Sequence, residues 1–291
     1  MTRVIELIEA GAVQLTEAGV AFGHGTGNAF DEAAWLVLWQ LKLPIDDLDA
    51  ASDRPVSPAD CARVASLLTA RIETRKPAAY LTREAWLQGV PFYVDERAIV
   101  PRSFIAELLV DGSIDYWLGE HTQQVLDLCT GNGSLAVLAA MTYPDVHVTA
   151  ADISRDALEI AAINVTRHEL DDRIALVESD GLAALPGPYD LILCNPPYVN
   201  AQSMSTLPAE YRAEPALALA GGADGMDFIR TLLAAAPAAM HERAVLVLEI
   251  GNERDHFEAA FPTLETVWLE TSAGDDQVLL LTREALVRDL Q

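Results

Sequence analysis

Lysine is almost missing from this chain: Lys42 and Lys76 are the only two in 291 residues, and 19 bases of either kind face 44 acids, for a formal net charge of −25. A protein that grips a duplex draws on several Lys or Arg contacts to phosphate, and no basic stripe is visible here. The balance therefore argues against direct binding of nucleic acid. A strongly acidic surface suits a basic protein partner instead, speeding encounter and losing its effect in salt. Cysteine is scarce too. Cys61, Cys129 and Cys194 cannot all pair and have no metal spacing, so they read as structural thiols, small apolar residues of the core. The six histidines show no metal-ligand pattern, and no metal is expected; His24, in the glycine-rich segment Gly23–Gly27, reads as a loop residue. Long apolar runs are absent as well. The best candidates, Ala244–Ile250 and Thr231–Met240, are short or broken by Pro237, which argues against a membrane span. The start, Met1-Thr2-Arg3-Val4 with Glu6 and Glu9 behind it, does not read as a secretory signal. A cytoplasmic protein with one large and one smaller domain is the expectation.

What is present concentrates in two short stretches. The apolar run Leu191-Ile192-Leu193-Cys194 leads into Asn195-Pro196-Pro197-Tyr198. Two prolines remove two backbone donors and fix φ at each, so the strand exits into a stiff loop poor in N–H groups. Such a loop turns carbonyl oxygens, the Asn195 side chain and an aromatic face outward, a cradle for a planar amino-bearing group. Upstream, Val125-Leu126-Asp127-Leu128-Cys129 runs into Thr130-Gly131-Asn132-Gly133 and then an alanine-rich helical pattern. Glycines permit the tight turn and a close ligand, and the helix start offers free N–H groups. The third glycine of the dinucleotide fingerprint is missing. About nineteen residues past Gly133, the strand Val148–Ala151 ends in Asp152, the spacing that places a carboxylate on ribose hydroxyls. Ser154 fills the cap role for a helix Arg155–His168, which leaves Asp152 free to bind. Asp180, after the strand Ile174–Val177, is placed to accept from an adenine amino group.

The first ~95 residues read as helical, with apolar stripes in 28–41, along Val4, Ile5, Ile8 and Ala12, and between Ala59 and Ile72. Pro77 begins an extended region, and Trp86–Val90 with Pro91–Val94 read as paired short strands. A helix Ser103–Leu118 bridges to the second part. From Val125 onward strands alternate with helices: Val125–Leu128, Val146–Ala151, Ile174–Val177, Tyr189–Cys194 and Val245–Ile250, then an edge hairpin from Val267–Glu270 and Val278–Leu281. This alternation predicts an α/β fold with a mostly parallel sheet covered on both faces. The implied domains are 1–95, a bridge 96–121, and 122–291. The loop Val199–Asp224 is long for a strand–helix connection, and loops of that length are commonly functional. It is assigned to substrate capture through Tyr211, Arg212 and Glu214.

A first turn without the third glycine, an acid after the second strand and Asn-Pro-Pro-Tyr after the fourth together describe an S-adenosylmethionine methyltransferase. The chain resembles, nearly end to end, the HemK/PrmB-type protein-(glutamine-N5) methyltransferases. Within them it is most similar to the branch acting on large-subunit ribosomal protein L-three. The stretches that carry the resemblance are His24-Gly25-Thr26, Phe92-Tyr93-Val94-Asp95-Glu96-Arg97, Val100-Pro101-Arg102-Ser103 and Glu210-Tyr211-Arg212-Ala213-Glu214-Pro215. The chain departs from the family with Asn132 in place of a serine and with Gly27 and Asn200 in place of aspartates. The resemblance implies a class I, Rossmann-like S-adenosylmethionine-dependent fold of seven strands with a helical N-terminal substrate-recognition domain. It implies a cofactor held by Asp127, Thr130, Gly131, Asn132, Gly133, Asp152, Asp180 and Asn195. Catalysis would fall to Asn195, Pro196, Pro197 and Tyr198, with Asn195, Pro196, Tyr198 and Arg212 on the substrate. Release factors, and more remotely an exocyclic amine of DNA or RNA, are the alternative acceptors.

Overall fold

The computed structural model describes residues 2–289. Three helices, α1 (Val4–Glu17), α2 (Ala29–Leu41) and α4 (Pro58–Thr74), pack against one another. Their stripes meet in one cluster that includes Val4, Ile8, Leu15, Leu36, Val37, Val64 and Leu68. Side-chain caps from Asn28 and Ser57 start α2 and α4, supplying acceptors to N–H groups that have no partner in the helix. A short α3 (Leu48–Ala51) interrupts the loop between them. Beyond Pro77 the chain is not extended but forms α5 (Ala78–Thr82), because proline at a helix start costs no hydrogen bond. The hairpin is shorter than its sequence reads, with β1 (Ala85–Leu87) and β2 (Val90–Phe92) antiparallel. Gln88 and Gly89 both take positive φ, 50° and 74°, which turns the chain immediately after Leu87.

The bridging helix is also shorter than expected. Only α6 (Ile105–Val110) is α-helical, and a separate 3₁₀ turn covers Asp115–Trp117. Gly112 at φ 73° and the Asp111 side chain, which accepts from the Ser113 N–H, break the continuity.

The second half is a seven-stranded sheet in the order β5-β4-β3-β6-β7-β9-β8. Its strands are β3 (Gln124–Leu128), β4 (His147–Asp152), β5 (Ile174–Glu178), β6 (Tyr189–Cys194), β7 (Met240–Glu249), β8 (Val267–Thr271) and β9 (Gly274–Thr282). The first five run parallel, and β9 enters antiparallel between β7 and β8. Strand periodicity divides the core in two. Val125, Leu191, Leu193, Val245 and Val247 face α6, α7 (Ser134–Thr142) and α8 (Arg155–Arg167). Leu126, Leu128, Ile192, Leu246 and Leu248 face α11 (Asp227–Ala239), α12 (Arg254–Ala260) and α13 (Arg283–Asp289). Leu191, Ile192 and Leu193 are 0% exposed; burying each such side chain stabilises the fold by roughly 1.5–3 kcal/mol. Residues 199–224 are not an open loop. They carry α9 (Ala201–Thr206), α10 (Ala209–Arg212) and a 3₁₀ turn, Ala216–Ala218.

Two features position the site. The chain runs from β3 outward to β4 and β5, then crosses back to lay β6 on the other side of β3. The crevice beyond the ends of β3 and β6 is therefore the point where strand order reverses, where such sheets bind ligands. The helical part is tied to the loop above that crevice by a buried arginine. Arg71 on α4 donates to Glu32 at 2.8 Å, to Glu210 on α10 at 3.4 Å and to the Ala21 carbonyl at 3.0 Å.

Candidate active site

Register puts the two motifs side by side. Leu128 pairs with Cys194, so the glycine turn and Asn195-Pro196-Pro197-Tyr198 leave adjacent strands at one level. Asp152, at the end of β4, accepts the Gly131 N–H at 2.9 Å and the Ser154 N–H at 2.8 Å. Burial pushes its carboxyl up, and these N–H bonds oppose that rise. Ser154 caps α8 as its position predicts.

A pocket of about 220 Å³ opens at this level, bordered by Gly131, Asp152, Asp180, Asn195, Pro197 and Phe228. The structure thus brings together four of the residues read as holding the cofactor: Gly131, Asp152, Asp180 and Asn195. The other four brace the pocket without lining it. Asp127 is buried beneath the turn, accepting the Thr130 hydroxyl at 2.5 Å and the Ala136 N–H at 2.9 Å. Burial drives its carboxyl up to about 7. Asn132 accepts from the Ser134 N–H, and its carbonyl takes a bond from Asn164, which also clamps the Tyr93 backbone. Gly133, at φ 80°, starts α7, and a Cβ there would stand 3.1 Å from Ala161.

The second cavity, about 780 Å³, lies across Asn195 and is bordered by Pro196, Tyr198, Arg102, Tyr211 and Glu249. Asn195 therefore stands in the wall that separates two spaces, with Pro197 facing one and Pro196 the other. Tyr198 is held from several sides. Its hydroxyl donates to Glu249 at 3.2 Å, and burial, with the Glu249 charge beside it, pushes the phenol up so that it stays protonated. Glu249 also accepts the Ser103 hydroxyl at 2.6 Å and the Phe104 N–H at 3.0 Å. Gly225 fits closely beneath, since a Cβ there would come within 2.2 Å of the Tyr198 carbonyl oxygen. At Gly251 it would lie 2.6 Å from the ring.

Arg212 does not reach this cleft. The short α10 turns Tyr211 inward and leaves Arg212 exposed at its end. The cation that borders the cleft is Arg102, whose guanidinium binds both oxygens of Glu214, at 2.6 and 2.8 Å, and sits 5.5 Å from the centre of the Tyr211 ring. Burial pushes the Glu214 carboxyl up, but the Arg102 charge and its bonds outweigh this and hold it at about 2. His24 is no ordinary loop residue. It is 1% exposed, its ring centre lies 4.2 Å from that of Tyr211, and Nε2 comes within 3.4 Å of Glu214 without an aligned hydrogen bond. Sequence reasoning gave Arg102, Ser103 and Glu249 no role at the site. The segment Val100-Pro101-Arg102-Ser103 carried a signal in its resemblance, whereas Glu249 was hidden inside an apolar strand.

The residues present fit an adenosyl cofactor. A Cβ added to Gly131, at φ 55°, would meet nothing within 4 Å, so the turn faces open space, with the carboxylates of Asp152 and Asp180 at the margin. Gly131, Asp152, Asp180 and Asn195 are the residues that would hold S-adenosylmethionine.

Residues 108–212 match the family model described as methyltransferase small domain. The hMettl16 catalytic domain, solved in complex with MAT2A 3'UTR hairpin 6, aligns with a TM-score of 0.52 at 14% identity, covering 78% of this chain and 81% of that one. That likeness speaks to the fold alone. The chain is 56% identical over 284 residues to a ribosomal protein uL3 glutamine methyltransferase of Bordetella pertussis, covering 97% of this chain and 95% of the relative. A protein of the same name from Burkholderia pseudomallei is 52% identical, covering 96% and 94%. A third, from Neisseria meningitidis serogroup B, is 48% identical, covering 99% and 95%. Identity at this level spans the helical part and the loop above the cleft as well as the common sheet, and the chain belongs to the ribosomal protein uL3 glutamine methyltransferase family.

Proposed function

We propose that this enzyme methylates the side-chain amide nitrogen of a glutamine in ribosomal protein uL3, with Asn195 and the Pro196 carbonyl presenting that amide to the cofactor. The observation that carries the reading is the place of Asn195, in a wall shared by the pocket that Gly131 and Asp152 border and a larger open cleft. An amide nitrogen is a weak nucleophile because its lone pair is delocalised into the carbonyl. The Asn195 side-chain oxygen and the Pro196 carbonyl accept its two N–H groups, which fixes the nitrogen and shares the positive charge that grows on it. Tyr198 packs against the amide plane, kept in place by Glu249. Pro197 contributes stiffness. S-Adenosylmethionine supplies an electrophilic methyl group on a sulfonium. A methylated amide cation loses its proton readily to water, so the reaction needs no side-chain base.

Residues 1–95 serve as the recognition domain and 96–121 as the bridge to the catalytic domain, 122–291. The net charge of −25 favours a basic protein over nucleic acid, and the work is done in the cytoplasm, where such a partner is made. The test is methyl transfer to purified uL3 and, separately, to release factors, with the product located by peptide mass spectrometry. Methyl on a uL3 glutamine alone is the expected result. Methyl on release factors alone overturns the substrate and keeps the mechanism.

A further inference from the structure

The cleft beyond Asn195 does not end at the catalytic loop. At Gly25 and Thr26 it runs into a second depression on the helical domain, bordered by Phe30, Trp35 and Trp86. Through Ile45 and Trp86 that depression continues into a third, bordered by Trp39. Three of the chain's five tryptophans thus border one path leading away from the reaction centre. Phe30 and Trp86 are each 39% exposed and border the same depression. The Trp86 indole N–H donates to Glu84 at 2.9 Å. Carboxylates accompany the aromatics along the path, namely Asp31, Asp46 and Glu84, against the single cation Lys42.

Resting on the uL3 reading above, we infer that this path is a docking groove for an extended arginine- and lysine-rich segment of the substrate flanking its target glutamine. Three features select that occupant. The groove is continuous with the cleft that receives the glutamine, so a chain held at Asn195 can run on along it across the helical domain. Aromatic faces with carboxylates beside them hold guanidinium and ammonium groups by cation–π attraction and charge together. Rigid, partly exposed tryptophans are the side chains on which interface energy concentrates.

The role separates binding from chemistry. Trp86→Ala removes an aromatic face, and Asp46→Lys reverses a charge at an exposed turn position, the kind of site where substitutions change stability little. Each variant is assayed on whole uL3 and on a short peptide holding only the mapped glutamine and its nearest neighbours. For the whole protein KM is expected to rise about tenfold in either variant, with kcat within twofold. For the short peptide, which cannot reach the groove, KM should not move. The KM of the unmutated enzyme for whole uL3 should climb with salt, and that climb should be shallower in Asp46→Lys. If both variants keep the unmutated KM for whole uL3, the groove is overturned while the methylation reading stands. If the unmutated enzyme transfers no methyl to uL3 at all, the substrate reading falls, and the groove with it.

Discussion

The two sides of Asn195 are built by different means. On the cofactor side the decisive contacts are short in sequence: Thr130 reaches Asp127 three residues back, and Asp152 reaches Gly131 across 21. On the substrate side they are long. Arg102 meets Glu214 across 112 residues, Ser103 meets Glu249 across 146, and Arg71 meets Glu210 across 139. A small invariant ligand can be held by strand-end turns, whose shape follows from local glycines and caps. A cleft for another protein has to be enclosed by remote segments, and here buried charge pairs bring them together. Such pairs are costly to break, because removing one partner strands the other without solvent. The comparison therefore predicts that damage on the substrate side acts through stability, and damage on the cofactor side through affinity.

The largest effect is expected from Arg102→Ala, which leaves Glu214 buried and unpaired and should cost about 3–5 kcal/mol in urea unfolding. A pH series sharpens this. Glu214 is held at about 2 against an ordinary value of 4.5, so its contribution is complete above about pH 4.5 and is lost as the pH falls towards 2. Glu214→Gln should flatten that acid limb, and an unchanged limb would assign it to other carboxylates. Next comes Asn195→Ala, with kcat expected to drop on the order of 10²–10³-fold while cofactor affinity, measured by calorimetry, stays within a few fold. Equal losses in both would contradict its role in presenting the amide and leave it a cofactor contact only. Asp152→Ala should do the reverse, weakening cofactor binding roughly 10–100-fold through loss of a charged acceptor and changing kcat little at saturation. A methyl acceptor that binds normally to this variant would confirm that the two sides are separable.

The same contrast explains what could be read in the sequence. The five parallel strands, their alternation with helices, Gly131, Asp152 and Asn195 were legible because each is signalled by residues within one or two turns of it. β7 begins earlier than its apolar run, at Met240, since His241, Glu242 and Arg243 after that residue are exposed and carry no hydrophobic signal. The helix foreseen over Ser103–Leu118 failed at Gly112, whose positive φ outweighs the apolar spacing around it. Asp127, Thr130, Asn132 and Gly133 belong to the same turn as Gly131, but sequence cannot distinguish lining from bracing. Arg212 lies in the segment assigned to substrate capture, but the orientation of a four-residue helix turns Tyr211 to the cleft and leaves Arg212 exposed. Glu249 left no trace, because a buried acid in a strand is intelligible only once its distant partners are known.

The smallest effect separates the two sides most finely. Tyr198 touches both, since its ring belongs to the cleft while its backbone continues the loop that holds Asn195. Tyr198→Phe keeps the ring and the glycine contacts and deletes only the hydroxyl. Glu249 keeps the bonds that Ser103 and Phe104 make to Oε2 but loses the one on Oε1, so stability should fall by about 1–3 kcal/mol. If the hydroxyl serves only to orient the ring, kcat/KM should fall a few fold with cofactor affinity unmoved, and Glu249→Gln, which still accepts from Ser103, should give a similar loss. A fall as deep as that of Asn195→Ala would instead place the hydroxyl against the reacting amide. The phenol would then be part of the chemistry, and Glu249 would act on the reaction through it.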